Sequence, residues 1–210
     1  MCRVAYVKRP FADMERWFHQ LECSAGGDGN GVAVGPHHDK GVDLSVEQTV
    51  GFVEHYAARR REQKKAPLPA LWHTRRTSSG DSCDDLCHPF PCDGGWLVHN
   101  GHWGWAHQEA AKVQARPMSD TRLFSLIVDN NGFESAVKKF EPPGVWLHMT
   151  RDGSLRVWKR RGDLCYSLGV GALGSEPAAV GKWQDVADGL HVGEIRTVTR
   201  VSVGGWYDGL

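Results

Sequence analysis

A chain of 210 residues with 25 acidic and 25 basic side chains carries no net field, which argues against nucleic acid or an anionic membrane as a partner held by bulk charge. The length suits one full hydrophobic core, so a single domain over residues 1–210 is expected. No stretch approaches the roughly 18 apolar residues of a membrane helix and the start lacks the apolar centre of a signal peptide, so a cytoplasmic protein is the simplest reading.

Residues 3–7 and 31–35 read as buried strands, separated by an amphipathic stretch around Met14, Trp17, Phe18 and Leu21 and by SAGGDGNG at 24–31. Glycines at 26, 27, 29 and 31 suit a sharp turn or a close approach. No lysine-serine pair follows them, which argues against a phosphate loop. Ser45 and Gln48 form a capping box, and Val46, Val50, Val53 and Tyr56 recur at helical spacing up to RRREQKK at 59–65. That basic end complements the helix dipole and is read as a solvated terminus. Pro67 and Pro69 end the helix before a strand at 70–74, and a polar loop rich in cysteine leads to a strand at 96–99. Asn100-Gly101 reads as a tight turn. Ser119 or Asp120 can cap a helix through Leu123, Leu126 and Ile127, with a second short helix across 133–140. The remainder is β-rich: GVWLHMT and SLRVWKR joined at 151–153, then DLCYSLGVG, then late strands around 190–203. Strands and helices fall in runs, which favours α+β with mainly antiparallel sheets over a doubly wound fold.

The six cysteines (Cys2, Cys23, Cys83, Cys87, Cys92 and Cys165) should stay reduced in cytosol, leaving nucleophile, metal ligand or packing as their uses. Cys83, Cys87, His88 and Cys92 are zinc-ligand types within ten residues, but no CxxC pair is present and no metal is expected there. Cys2 follows Met1 directly. Removing Met1 would leave a thiol and a free α-amine on one residue, a nucleophile carrying its own base.

Four further pieces line up with Cys2: WHTRRTSSG at 72–80, CHPF at 87–90, LVHNG at 97–101 and SDT at 119–121. In order and content they resemble the class II glutamine amidotransferases, whose glutaminase domains are N-terminal-nucleophile hydrolases. The resemblance covers residues 2 to about 121; SEP at 175–177 is a loose match. It implies a four-layer αββα sandwich, Cys2 as nucleophile, and an oxyanion hole from the Asn100 side-chain amide and the Gly101 N–H. It also implies Arg75 on the substrate carboxylate and Asp120 on its ammonium, with Ser78, Ser79 and His99 as neighbouring substrate contacts. No cofactor is expected. Hydrolysis of a γ-carboxamide needs these parts, because the amide is a poor electrophile. An α-amine with a pKa near 8 is a competent base close to neutral pH. Three positions depart from the family pattern: Arg76 replaces a frequent aromatic, Ser78-Ser79 a threonine-histidine pair, and Asn30 a tryptophan of the glycine-rich loop.

The chain has no room for a synthetase domain after residue 210, so the resemblance implies a glutaminase subunit that hands ammonia to a separate synthetase or ligase. The Met-Cys-Arg start also resembles free-standing γ-glutamyl amide hydrolases of the ergothioneine-pathway type. A third reading is an inactive binding module using exposed Trp103 and Trp105.

Overall fold

The computed structural model describes residues 2–77, 82–111 and 118–192. In chain order the elements are β1 (Arg3–Val7), α1 (Met14–Ala25), β2 (Asn30–Val34), β3 (His37–Gly41), α2 (Val46–Glu62), β4 (Ala70–Thr74), β5 (Phe90–Cys92) and β6 (Gly95–Asn100). They continue with α3 (Gly104–Ala111), α4 (Asp120–Asn131), α5 (Phe133–Phe140), β7 (Gly144–Thr150), β8 (Leu155–Arg160), β9 (Cys165–Ser167), β10 (Ala172–Gly174), β11 (Gln184–Asp185) and β12 (Gly189–Val192). One 3₁₀ turn covers Asp84–Leu86.

The strands form two sheets, in the orders β11-β9-β10-β1-β4-β2-β3 and β12-β8-β7-β6-β5. Neighbouring strands run antiparallel throughout, as at β1 with β4 and β6 with β7. Side-chain alternation then builds three apolar layers. Val4, Tyr6 and Leu71 of the first sheet meet Val98, Leu147 and Val157 of the second between the sheets. Ala5, Val32 and Trp72 point outward, where Trp17, Phe18 and Val50 of α1 and α2 cover them. On the far side Leu97 and Trp146 pack under Phe124, Val128 and Val137 of α4 and α5. The result is a four-layer αββα sandwich.

Local chemistry sets the ends of these elements. Met14, Trp17, Phe18, Leu21 and Ala25 form the buried stripe of α1, and the Phe18 ring stacks on Trp72 at 4.4 Å and 11°. Burying each of the larger side chains in that stripe stabilises by roughly 1.5–3 kcal/mol. The Ser45 hydroxyl accepts from the Gln48 N–H at 3.2 Å while the Gln48 side chain accepts from the Ser45 N–H at 2.7 Å, the reciprocal capping box at the start of α2. Ser119 caps α4 by accepting from the Arg122 N–H at 3.1 Å. β7 and β8 form the hairpin expected around Arg151-Asp152-Gly153, with Gly153 at φ +94°.

Two expectations need correction. Asn100-Gly101 does not close a hairpin, because β6 pairs with β5 and β7 and the chain leaves Gly101 toward α3. Trp103 is buried at 8% exposure against Phe124 and Trp146, while Trp105 alone of that pair is open, at 48%. The stretch from 37 to 41 is a strand that the glycine and histidine content concealed. Of the late strands, β12 ends at Val192 and positions 193–203 lie outside the described residues. Among the described residues no helix is long and apolar enough to cross a membrane.

Candidate active site

Cys2 stands one residue before β1, and its parity matches Val4 and Tyr6, which face the inter-sheet layer. The same parity argument carries Arg75 inward from Leu71 on β4, and Asn100 inward from Trp96 and Val98 on β6. Strand alternation thus delivers these groups to one end of the sandwich. Cys2, Arg75, His99, Gly101 and Asp120 line a single cleft there, with about 20 Å³ of free space, room for roughly one water.

The Cys2 Sγ lies against the Arg76 backbone, 3.4 Å from its N–H and 3.5 Å from its carbonyl. Desolvation pushes the thiol pKa up, and the Asp120 carboxylate adds to this, while the Arg76 N–H and the Arg75 guanidinium act in the opposite direction. A thiol so placed is protonated at neutral pH and needs a base to release its proton.

Arg75 is held through its backbone. Its N–H donates to the Gly29 carbonyl at 2.8 Å, and its own carbonyl accepts from the Asp28 N–H at 3.0 Å. The Asp28 carboxylate accepts from the Thr77 N–H at 2.7 Å. The glycine-rich segment is therefore the brace of the arginine loop, a role its composition alone did not specify.

At the opposite wall, the Asp120 carboxylate accepts from the Trp103 N–H at 2.9 Å and from the Thr121 N–H at 2.8 Å. The His99 ring stacks on Trp146 at 3.7 Å and 8°, and its Nδ1 is 3.1 Å from the Thr121 hydroxyl. A methyl group on Gly101 would fall 2.6 Å from His99 Nε2, so glycine is required for the chain to pass this ring. Burial brings the His99 pKa down to about 4, with Asp120 opposing. His99 is a neutral wall behind Gly101.

Asn100 is 5% exposed. Its Nδ2 donates to the Ser175 hydroxyl at 3.2 Å, and its Oδ1 has no hydrogen-bond partner among the described residues. Ser175 also ties into β1, accepting from the Val4 N–H at 3.1 Å and donating its own N–H to the Val4 carbonyl at 3.0 Å. Next to it the Glu176 carboxylate pairs with Arg3 at 2.8 Å. The sequence marks SEP at 175–177 only as a loose match, and the Ser175–Val4 contact, 171 residues apart, lies beyond any local pattern.

Two solved structures share this architecture. One is the glutamine phosphoribosylpyrophosphate amidotransferase from B. subtilis complexed with ADP and GMP, with a TM-score of 0.62, 13% identity, and coverage of 94% of this chain and 48% of that one. The other is the allosteric regulatory enzyme of purine biosynthesis, with a TM-score of 0.62, 16% identity and the same coverage. The chain has the N-terminal-nucleophile hydrolase fold. It spans about half the length of these neighbours. No family model matches the sequence, and no curated protein matches it significantly.

The structure brings Cys2, Arg75, His99, Gly101 and Asp120 to one cleft with Asn100 behind it. Ser78 and Ser79 lie outside the described residues, as does Met1. Cys83, Cys87, His88 and Cys92 do not gather their ligand atoms at one point. Cys87 turns its Sγ to the Cys83 carbonyl at 3.6 Å, Cys92 belongs to the helix-side core, and His88 packs its ring on His73 at 3.8 Å.

His73, His88 and His99 are all buried beside the cleft, and desolvation lowers each pKa. The unfolded chain therefore takes up protons on these rings at a higher pH than the folded one. Stability is complete above the ordinary value of about 6.5 and falls as the pH drops toward 4, by about 3 kcal/mol from His99 alone. Urea midpoints measured from pH 7.5 to 4.5 should decline steadily below pH 6.5. A flat profile across that window would contradict the buried neutral rings.

Proposed function

We propose that this chain is a class II glutaminase domain over residues 1–210 that hydrolyses the γ-amide of glutamine through Cys2 once Met1 has been removed. The observation that carries the reading is the meeting of Cys2, Arg75 and Asp120 in one cleft, with Gly101 on its wall and the Asn100 amide behind it.

The freed α-amine of Cys2 takes the thiol proton, and the thiolate adds to the γ-carbonyl carbon. The Asn100 amide and the Gly101 N–H stabilise the resulting oxyanion. The α-ammonium gives its proton to the amide nitrogen as collapse breaks the C–N bond, so that nitrogen leaves as ammonia. Water then adds to the thioester with the α-amine as base, releasing glutamate and restoring the thiol. Arg75 suits the α-carboxylate of glutamine through two parallel hydrogen bonds, and the Asp120 carboxylate keeps a lone pair for the α-ammonium. The name of one structural neighbour, a glutamine amidotransferase, supports the same substrate. A separate synthetase or ligase subunit is the proposed acceptor of the ammonia.

The test is the mass of the purified protein before and after exposure to the diazo-ketone analogue of glutamine, paired with an assay for glutamate and ammonia. Loss of Met1, one adduct on the Cys2 peptide and release of both products are expected. Retention of Met1 with no adduct and no turnover overturns the reading. An adduct without glutamine turnover moves the substrate to a larger γ-glutamyl amide.

A further inference from the structure

Ser175 sits where three strand ends converge: it follows β10, touches the start of β1 and touches the last residue of β6. Its parity on β10 continues from Leu173, which faces the inter-sheet layer, so its side chain points at the second sheet. The residue is 3% exposed. A serine oxygen offers two acceptor sites, and here the Val4 N–H fills one at 3.1 Å and the Asn100 Nδ2 fills the other at 3.2 Å. Among the described residues this is the one hydrogen bond on the Asn100 side chain, whose Oδ1 is unpartnered.

We propose that Ser175 is the positioning residue of the oxyanion hole, fixing the plane of the Asn100 amide relative to the strand that carries Cys2. The inference rests on the reading of Asn100 as an oxyanion donor. An amide nitrogen carries two protons. Bonding one of them to Ser175 fixes the amide rotor and leaves the second for the substrate oxygen. The Val4 bond makes that orientation useful, because the same oxygen is anchored two residues from the nucleophile. Nucleophile and oxyanion donor come from different sheets, and this hydroxyl fixes their mutual distance. An oxyanion donor acts only when it is held in place before the charge develops.

The experiment compares wild type, Ser175→Ala, Asn100→Ala and the double variant for glutamine hydrolysis, together with the rate at which iodoacetamide alkylates Cys2, read at the peptide level. Alkylation is a displacement at saturated carbon and forms no oxyanion. For Ser175→Ala, kcat should fall roughly 10- to 100-fold with KM within about twofold, and Cys2 alkylation should keep its rate. In the Asn100→Ala background the serine substitution should add no further loss. Protection of the buried Cys87, Cys92 and Cys165 from the same reagent verifies the fold. Ser175→Cys, nearly isosteric and a weak acceptor, replaces alanine if that variant does not fold. Unchanged kcat, an equal loss in the Asn100→Ala background, or a parallel loss of alkylation each overturns the positioning role. Wild-type protein lacking Met1 that releases no glutamate overturns the glutaminase reading itself.

Discussion

Cys2→Ala abolishes glutamine hydrolysis: kcat is expected to fall on the order of 10⁴-fold or more, since the water that remains is a far weaker nucleophile than a thiolate. The thermal midpoint should stay within about 2 °C, because the side chain is only partly buried and its contacts with Arg76 are long. Cys2→Ser separates two contributions. It keeps a nucleophilic atom and the α-amine but raises the intrinsic pKa of the attacking group, so activity should be low and measurable. Cys23→Ala, on the exposed side of α1, is the control and should leave kcat unchanged. Ammonia release by Cys2→Ala at the wild-type rate would remove Cys2 from the chemistry.

Gly31→Ala is expected to damage both stability and activity. Gly31 lies on β2, and a methyl group there would fall 1.8 Å from the His88 carbonyl oxygen and 2.8 Å from Lys40 Cβ. The first obstacle is backbone and cannot swing aside. Either β2 or the segment carrying His88 must move, at about 3 kcal/mol or more. For a chain of this length that is a fall in Tm of roughly 6–12 °C. The displacement also reaches the arginine loop, because Arg75 is bonded to Gly29, two residues earlier on the same segment. A rise in KM for glutamine should therefore accompany the lost stability. Gly51→Ala is the contrast: it sits exposed in α2 with nothing within 4 Å, and alanine there should stabilise by about 1 kcal/mol. Equal Tm values for the two variants would refute the close-approach argument.

What the sequence made legible was local. The α1 stripe, the Ser45–Gln48 box and the 151–153 hairpin each depend on residues within a few positions of one another and stand in the structure as read, and of the two cap candidates Ser119 and Asp120 the structure selects Ser119. The Asn-Gly pair misled for the same reason. Its dipeptide signal is that of a hairpin, yet β6 finds its partners at 90–92 and 144–150, and no local pattern encodes that choice. Trp103 followed suit, since its burial depends on Phe124 and Trp146 closing over it. Within the site, the order of short motifs pointed to Cys2, Arg75, Asn100 and Asp120. Motifs do not show what holds them. Asp28 reaches Thr77 across 49 residues and Ser175 reaches Asn100 across 75, separations at which neither spacing nor periodicity carries information.

The place of β1 in its sheet has a consequence for the newborn chain. Its two neighbours are β4, with Ala5 opposite Trp72, and β10, with Ala5 opposite Gly174. During synthesis this strand thus waits for its second neighbour until Gly174 has left the ribosome, and pairing across such separations is slow. Until then the thiol near the amino terminus has no Asn100 fixed across from it. On the proposed mechanism the nucleophile is thus made first, and long-range topology delays its activation until the rest of the molecule can contain it.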